Sequence, residues 1–500
     1  MESSCKAKQS LGISHEGNEP MRDVVIVGCG IVGAAAAYEL SKYKLSVTVL
    51  EKENDVAAGA TKANSAIIHA GYDPQAGSLM AKLNVRGAEL AKELCKNLDI
   101  PHNQCGAMVL AFSPKEKVVL EELLQNGNTN GVPELKILSK EQCLELEPNL
   151  NPNVFAALHI PTTMIVSPWE YALALTETAV RNGVKLELEC EVTAIDKIDG
   201  GYRIHTTQGE ICTRYILNAA GLAADTVHNL AAEKAFEITP DRGEYYLLDK
   251  SEGMRVGHVV FQCPNEHGKG VLIAPTVHGN LIVGPSNGRT PSIDDVSTTM
   301  QGLTYVMETA RKAVPTIDFR ANIRNFAGNR AKTGCNDFII GQAHGADRFI
   351  NLAGIQSPGL SAAPAIAEMA AELLENSGLV LHRKTCFHNE RKVVRLHKLT
   401  PDEKAKLVKS DPAYGRIICR CEVVSEGEIR DALNSPIPPR SVDAAKRRCG
   451  AGMGRCQGGF CSPLVLEMLA KHYNCGPTEI PQDGAGTYIL TSETKIGGAV

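Results

Sequence analysis

The sequence predicts an α/β fold with a second, interleaved domain and a small separate domain near the C-terminal end. A short apolar strand, Asp23–Val27, is followed by a glycine turn, an Ala-rich helix reaching Tyr43 and a second strand, Leu45–Leu50. A strand, a glycine turn and an Ala-rich helix recur between Phe349 and Leu374. Five of the 16 cysteines fall between Cys419 and Cys461, and this change in composition marks the separate domain.

Composition and charge exclude several classes of protein. With 500 residues, 43% of them hydrophobic and 22% charged, the chain has an ordinary soluble composition, and a length prior of ~150 residues per domain suggests about three domains. A net charge of −5 gives no sign of binding nucleic acid or anionic lipid. The longest apolar runs are strand-sized, far below the ~20 residues of a membrane span, so we exclude an integral membrane protein.

The N-terminal segment carries no recognisable targeting signal. Its first twenty residues contain no apolar stretch and no arginine, which argues against a secretory signal and a mitochondrial presequence. We expect a disordered leader over 1–21, with Met21 as an alternative start. The absent signals predict a cytoplasmic protein, peripheral at the membrane only through a partner subunit.

The first strand, turn and helix have the pattern of a Rossmann-type dinucleotide site. Gly28 permits the tight turn, Gly30 lets a pyrophosphate approach the backbone, and Gly33 lets helix and strand pack closely. The helix N-terminus then faces the phosphates. Glu51, at the end of the second strand, is placed to accept hydrogen bonds from a ribose. A purely structural turn is the alternative.

Two further signals favour FAD over NAD. A second glycine turn lies at Gly354–Gly359, and Asn218–Gly221 follows a strand predicted at Tyr215–Leu217. Both fit one FAD lying along a single domain, whereas NAD would need neither. Other strands are predicted at Lys185–Ile195 and Tyr202–Thr206, and a hairpin turn is predicted at 199–201.

Four segments, in order, carry a family resemblance: Thr61–Gly71, Gly268–Pro275, Phe326–Arg330 and Ser357–Leu360. Over roughly residues 22–375 the chain resembles the FAD-dependent oxidoreductases of the D-amino-acid-oxidase superfamily, most closely the type II glycerol-3-phosphate oxidases and the L-2-hydroxyglutarate oxidases. Together, the glycine turns and the resemblance imply FAD-binding residues Gly28, Gly30, Ile31, Val32, Gly33, Glu51, Lys52, Thr61, Asn64, Ser65, Val192, Ala220, Gly221, Gly354, Ser357, Gly359 and Leu360.

The resemblance also implies a division of the chain into domains. We assign the FAD domain to about 22–71, 166–229 and 331–375, the α+β substrate domain to about 72–165 and 230–330, a connector to 376–411, the cysteine domain to 412–480 and a tail to 481–500.

In such enzymes a hydride leaves a C–H bond for the flavin while a base takes the proton of the adjacent hydroxyl. The resemblance places His69 as the base, with Ser65 one turn before it if that stretch is helical. Arg330 resembles the substrate-anion arginine, whose guanidinium suits a phosphate or a carboxylate. Lys269 and Ser357 are expected to line the same pocket. The alternatives are a structural role for His69, a surface ion pair for Arg330 and an exposed loop for Lys269.

The substrate prediction depends on one departure from a related family. Membrane-associated and anaerobic glycerol-3-phosphate dehydrogenases carry a different motif at the last glycine turn, where this chain has Gly354–Gly359. Lys269 and Arg330 as a pair of cations favour a dianion, so glycerol 3-phosphate is the first choice and L-2-hydroxyglutarate the second. A third hypothesis is a non-catalytic electron-relay subunit. Tyr245 fits either a pocket or a core position.

The cysteine domain predicts a metal site. Cys419 and Cys421 form a CxC, and Cys456 and Cys461 form a CxxxxC after a gap of 34 residues. Four such thiolates can hold zinc or an iron–sulfur cluster. The pattern resembles the bacterioferritin-associated-ferredoxin (BFD) type of [2Fe–2S] domain, found at the C-terminal end of anaerobic glycerol-3-phosphate dehydrogenase large subunits.

This resemblance makes Cys419, Cys421, Cys456 and Cys461 the cluster ligands, with Cys449 and Cys475 outside the set. Zinc and four free thiols are the alternatives. A cluster accepts the two electrons of a reduced flavin one at a time and passes them to a partner, so we expect a dehydrogenase rather than an oxidase. Its acceptor is expected to be a partner subunit, either a second flavoprotein or a membrane anchor.

Overall fold

A computed structural model describes residues 20–264 and 270–492. Lys269 and nearly all of the predicted leader therefore lie outside the described residues. Strands are numbered β1–β22 and helices α1–α12 in chain order. Among the helices of the described ranges, none is long and apolar enough to cross a membrane.

The first sheet has eight strands in the order β10-β11-β12-β1-β2-β9, with β20 paired to β12 and β19 paired to β20. Its strands are β1 (Arg22–Val27), β2 (Val47–Leu50), β9 (Lys185–Glu187), β10 (Val192–Ile198), β11 (Gly201–Thr206), β12 (Gly209–Asn218), β19 (Ile339–Gln342) and β20 (Phe349–Ala353). The pairs β12–β1, β1–β2, β2–β9 and β12–β20 are parallel. Val24, Val25 and Ile26 of β1 are fully buried, as expected for a parallel sheet covered on both faces.

Helices α1 (Ile31–Leu40), α6 (Ala224–Asn229) and α8 (Gly359–Asn376) pack against strands of this sheet, while α5 (Pro168–Arg181) packs on α1 and α2 (Leu79–Asn97) packs on α8. Helix α2 belongs to the segment assigned to the second domain, yet it packs against α8. The two helices are in close contact at Gly87, where an added Cβ would lie 2.2 Å from the carbonyl oxygen of Ser361.

The second sheet has nine strands in the order β17-β13-β16-β15-β14-β5-β7-β6, with β18 paired to β13. These strands are β5 (Ala107–Ala111), β6 (Lys136–Ser139), β7 (Ala156–Ile160), β13 (Thr239–Leu248), β14 (Val259–Gln262), β15 (Leu272–Pro275), β16 (Leu281–Gly284), β17 (Gly288–Arg289) and β18 (Asn322–Lys332). The helices of the same chain segments are α3 (Pro114–Thr129), α4 (Lys140–Leu146) and α7 (Met300–Ala313). A small sheet in the order β3-β8-β4 consists of β3 (Ile67–Ile68), β4 (His102–Asn103) and β8 (Met164–Val166).

Several predicted elements differ in extent from the structure: Tyr215–Leu217 is only the end of β12, and the strand predicted at Leu45–Leu50 begins at Val47. The predicted strand Lys185–Ile195 is two strands, β9 and β10, because Glu189 adopts a left-handed conformation with φ of +58°. The amides of Glu189 and Cys190 donate instead to the carbonyls of Glu53 and Glu51, each at 2.9 Å. Helix α1 ends at Leu40 rather than Tyr43. The predicted hairpin is present, with Gly200 at a φ of +79° between β10 and β11.

The C-terminal part is a small unit with three helices and one strand pair: β21 (Ile417–Cys419), β22 (Val424–Ser425), α10 (Glu426–Leu433), α11 (Val442–Cys449) and α12 (Ser462–Tyr473). The segment before it contains α9 (Pro401–Ser410). That segment is held to α5 by Arg391, whose Nε donates to buried Glu177 at 2.6 Å, and by Arg395, which contacts Glu170. Arg395 also contacts Asp99, which follows α2. The predicted fold class, α/β with a helical C-terminal domain, is confirmed.

Candidate active site and cluster site

The glycine turn lies between β1 and α1, at the carboxyl end of the first sheet. Gly28 has a φ of +96°, and a Cβ there would lie 2.6 Å from the carbonyl oxygen of Ala219. A Cβ at Gly33 would lie 2.0 Å from the carbonyl oxygen of Gly28. At Gly30 the nearest atom would be the Thr61 hydroxyl, 3.3 Å away. A Cβ would therefore crowd neighbouring atoms at all three glycines, as the close approaches of a dinucleotide-binding turn require.

Glu51 is buried at the end of β2 and braces this turn. Its Oε2 accepts the amide N–H of Cys29 at 2.7 Å, and its Oε1 accepts that of Glu53 at 3.0 Å. Burial raises the pKa of Glu51, and these amide donors partly offset the rise. The hydroxyl of Thr61 accepts the amide N–H of Ile31 at 2.9 Å, at the first residue of α1.

Most of the other predicted cofactor residues surround the same sheet edge. Ala220 and Gly221 follow β12, Gly354 follows β20, and Gly359 and Leu360 begin α8. A Cβ at Gly221 would meet no atom within 4 Å. These carboxyl ends form the crevice in which doubly wound sheets bind their ligands, so the described residues fit FAD.

Five more of the predicted cofactor positions have the following settings. Ile31 and Val32 form the first turn of α1, and the Asn64 amide donates to the carbonyls of Ala60 and Thr61. Lys52 is largely exposed and lies 3.6 Å from Glu53, while Val192 is part-buried in β10. Their roles toward FAD stay predictions.

Replacing Gly33 with alanine is expected to raise the Kd of FAD about 5- to 150-fold, since relieving the Cβ contact must separate α1 from β1 and overpacking costs about 1–3 kcal/mol. The measurement is flavin bound per chain, from visible absorbance. Gly59→Ala is the matched control, because a Cβ there would meet nothing within 4 Å and its φ is −87°. Equal flavin content in both variants would contradict the assignment of the turn.

His69 follows β3 and lines a cavity. The stretch from Ser65 to His69 is not helical, so the conditional placement of Ser65 one helical turn before His69 was wrong: Ile67 and Ile68 are extended and pair with β8. The His69 ring lies 5.8 Å from that of Phe261. The cavity is lined by His69, Gly71, Tyr72, Asp73, Pro74, Asn84, Val109, Leu123, Phe261, Gln262, Pro264 and Pro358.

Two side chains that the sequence did not single out hold the backbone of His69. The Ser361 hydroxyl, in the first turn of α8, accepts its amide N–H at 2.7 Å. The fully buried Asn84 amide, oriented to satisfy its neighbours, donates to the His69 carbonyl at 3.1 Å and accepts the Gly71 N–H at 2.8 Å. Asn84 could have been found as a polar residue on the apolar face of α2, between Met80 and Ala91.

Ser65 is separated from His69 and meets Tyr245 instead, with 3.2 Å between the two hydroxyl oxygens. Tyr245 is buried in β13 and stacks on Phe326 of β18, with ring centroids 4.9 Å apart. Tyr245 thus combines core packing with a polar contact to a predicted site residue.

Arg330 and Gly328 lie on the same face of β18. Gly328 packs closely against the 61–65 loop, since a Cβ added there would lie 2.0 Å from the Ala63 carbonyl oxygen. The Nη1 of Arg330 donates to buried Asp241 at 2.6 Å, and Lys332 Nζ lies 2.8 Å from the same carboxylate oxygen. Two cations therefore share one carboxylate, which leaves an excess positive charge. Asp241 had no sequence signal, since the register of β13 on β18 brings it there.

The structure does not gather all the predicted catalytic residues around His69. Arg330 and Ser65 are not among the residues lining its cavity in the described chain. Ser357 is exposed, although the next residue, Pro358, lines the cavity. Lys269 lies outside the described residues.

The four predicted cluster cysteines form two pairs. The Sγ atoms of Cys421 and Cys456 are 3.6 Å apart. A hydrogen bond from the Cys461 thiol lowers the pKa of Cys419, although burial opposes it. In the described part of the chain no three His, Cys, Asp or Glu side chains converge as they would around one metal ion. The two thiol pairs, Cys421 with Cys456 and Cys419 with Cys461, suit a [2Fe–2S] cluster, in which each iron takes two thiolates.

A glycine-rich loop brings these cysteines together. A Cβ at Gly454 would lie 2.3 Å from the Cβ of Cys421, and Gly452 and Gly458 have φ values of +94° and +86°. Cys449 points back into α11, where its thiol donates to the Ala445 carbonyl at 3.2 Å. That contact supports its exclusion from the ligand set.

Comparison with known proteins defines the class. The family model for FAD dependent oxidoreductases matches residues 23–373, and the model for the BFD-like [2Fe-2S] binding domain matches 417–471. The chain belongs to the FAD dependent oxidoreductase family and carries a BFD-like [2Fe–2S] domain. The predicted resemblance and both predicted cofactors are confirmed.

Individual relatives are more specific. The chain is 49% identical over 476 residues to a glycerol 3-phosphate dehydrogenase of Caloramator mitchellensis, covering 95% of this chain and 99% of that protein. It is 34% identical to a human mitochondrial L-2-hydroxyglutarate dehydrogenase, covering 53% of this chain and 60% of that protein. The solved L-α-glycerophosphate oxidase of Mycoplasma pneumoniae with FAD bound superposes with a TM-score of 0.72 at 35% identity, covering 75% of this chain and 100% of that one.

Proposed function

We propose that the protein is an FAD-dependent dehydrogenase that oxidises sn-glycerol 3-phosphate to dihydroxyacetone phosphate. The observation that carries this proposal is the 49% identity to a glycerol 3-phosphate dehydrogenase, which extends over 95% of the chain. When bound, FAD takes up the two electrons of the oxidation, and the cluster accepts electrons one at a time.

The residues divide the remaining work. His69, held by Ser361 and Asn84, takes the proton of the substrate hydroxyl as the adjacent C–H bond breaks. The apolar cavity walls, Phe261 and Pro358 among them, exclude water from this transfer. Arg330 does not line the His69 cavity; its proposed role is to bind the substrate anion from β18, and the positive excess that it and Lys332 create around Asp241 supports that role.

The acceptor is proposed to be an acidic one-electron carrier protein. Cys421 is exposed at the protein surface, and Phe460, next to Cys461, is 83% exposed. The exposed Arg420 and Arg455 add positive charge to the same surface. An apolar centre with a basic rim favours a partner of opposite charge.

The second candidate function is oxidation of L-2-hydroxyglutarate, favoured by the 34% identity to an enzyme of that name. An anaerobic titration of the flavin absorbance separates the two. Bleaching by glycerol 3-phosphate alone is the expected result. Bleaching by L-2-hydroxyglutarate alone would replace the first proposal by the second, and bleaching by neither would favour the electron-relay hypothesis.

Replacing Arg330 with methionine is expected to raise the Kd of glycerol 3-phosphate roughly 10- to 100-fold, because a charge-assisted hydrogen bond contributes about 1.5–3 kcal/mol. The Kd comes from the same anaerobic titration. Lys332→Met is the matched control, since it removes the other cation from Asp241 and is 42% exposed. An equal rise in both variants would mean that only the net charge matters and would contradict direct anion binding by Arg330.

A further inference from the structure

The cluster domain contacts the FAD domain through a buried ion cluster. Arg447 and Arg448, in the last turn of α11, both reach Asp55 in the loop after β2. Arg447 Nε and Nη2 donate to Asp55 Oδ2 at 3.0 and 2.8 Å. Arg448 Nη1 and Nη2 donate to Oδ2 and Oδ1 at 3.0 and 2.8 Å.

These charged groups are removed from water. The side chains of Arg447, Arg448 and Asp55 are 7%, 3% and 2% exposed. Burial raises the pKa of Asp55, but the two guanidinium groups outweigh it and hold that pKa below its usual value. Apolar residues would join two domains at less desolvation cost, so a buried ion cluster indicates that a specific alignment is being held.

Asp483, beyond the last helix, makes a second contact with the same loop. Its Oδ1 accepts Arg447 Nη1 at 3.0 Å, and its Oδ2 accepts Lys62 Nζ at 2.7 Å. Its carbonyl oxygen accepts the side-chain amide of Asn54 at 2.5 Å. We call residues 51–62 the ribose loop; the C-terminal part of the chain holds it at Asn54 and Asp55 and again at Lys62.

The ribose loop touches the glycine turn beside each of these points. Near Asp55, the amide of Ala57 donates to the Cys29 carbonyl at 3.0 Å, and Glu51 accepts the Cys29 N–H. Next to Lys62, Thr61 accepts the Ile31 N–H at the start of α1. A shift of the ribose loop would therefore move groups that position the turn at which FAD is held.

We propose that docking of the cluster domain and binding of FAD are thermodynamically coupled through the ribose loop, with Arg447, Arg448, Asp55 and Asp483 as positioning residues. Linkage makes the coupling reciprocal, so bound FAD tightens the docking by the same factor that docking tightens FAD. A chain without FAD then holds its cluster less firmly against the domain that supplies electrons.

The test is the Kd of FAD, measured by quenching of flavin fluorescence as the FAD-free full-length protein is titrated. Asp55→Asn is expected to raise this Kd about 5- to 150-fold, the usual range of coupling between sites. Asp483→Asn, which removes the more exposed contact, is expected to raise it by a smaller factor. The visible spectrum of the cluster should be unchanged in both, because none of these residues is a ligand.

Lys250→Met is the matched control, because Lys250 also joins the cluster domain to the rest of the chain, contacting Glu422 at 2.8 Å, and neither residue belongs to the ribose loop. An unchanged Kd in Asp483→Asn and in a folded Asp55→Asn, or an equal rise in Lys250→Met, would overturn the proposal. If Asp55→Asn does not fold, Asp483→Asn decides alone. The reciprocal effect, tighter docking when FAD is bound, is measured by limited proteolysis. FAD should slow cleavage within residues 376–411 of the wild type, and it should slow this cleavage less in Asp483→Asn.

Discussion

Replacing His69 with alanine is expected to slow anaerobic reduction of the flavin by glycerol 3-phosphate by about 10²–10⁴-fold, the usual contribution of a general base. The loss should be in the rate, because the side chain takes a proton only as the substrate reacts. Stopped-flow absorbance of the bound flavin measures it. Flavin content should stay constant, since the glycine turn and ribose loop do not involve the His69 side chain.

Imidazole in the buffer gives this prediction a readout that a structural role would not move. It can occupy the space left by the ring and restore part of the rate to His69→Ala. His205→Ala is the matched control, a surface histidine paired with Asp196 and Glu210. A wild-type rate in His69→Ala would remove His69 from the mechanism, and a slow rate without rescue would assign it a packing role beside Phe261.

The parts of the site that local patterns determine could be predicted from the sequence. The dinucleotide-binding turn needs Gly28, Gly33 and Glu51 at fixed spacings within one βαβ unit, so the sequence spacing alone defines the geometry of the turn. The spacing also identified the four cluster cysteines, but it did not predict how they pair, because Cys421 meets Cys456 and Cys419 meets Cys461 across the gap of 34 residues. The hairpin at Gly200 is also local, since glycine tolerates the positive φ.

Contacts between distant segments could not be predicted in the same way. Asp241 reaches Arg330 through the register of β13 on β18, and Asp55 reaches Arg447 across two domains. A single carboxylate in a sequence carries no mark of its partner. The error at Lys185–Ile195 has a related cause: both halves have strand patterns, and only the left-handed turn at Glu189 and its contacts with the β2 loop separate them.

Replacing Cys456 with serine is expected to remove ~90% or more of the iron, because a [2Fe–2S] cluster needs all four thiolates. The glycerol 3-phosphate titration should still bleach the flavin, since the site around His69 lies in another domain. Electrons should then fail to reach a one-electron acceptor protein. Iron analysis, the visible spectrum and acceptor reduction under anaerobic conditions measure the three expectations separately.

Cys449→Ser supplies the matched control within the same domain. It removes one thiol, as Cys456→Ser does, but that thiol bonds to the Ala445 carbonyl in α11 and belongs to neither pair. Full iron in Cys449→Ser and none in Cys456→Ser would assign the ligands by pair geometry. Iron loss in both would place Cys449 in the site, and zinc in the wild type would contradict the cluster. Acceptor reduction that persisted without iron would mean that electrons leave from the flavin directly, so the cluster would not be the route to the partner.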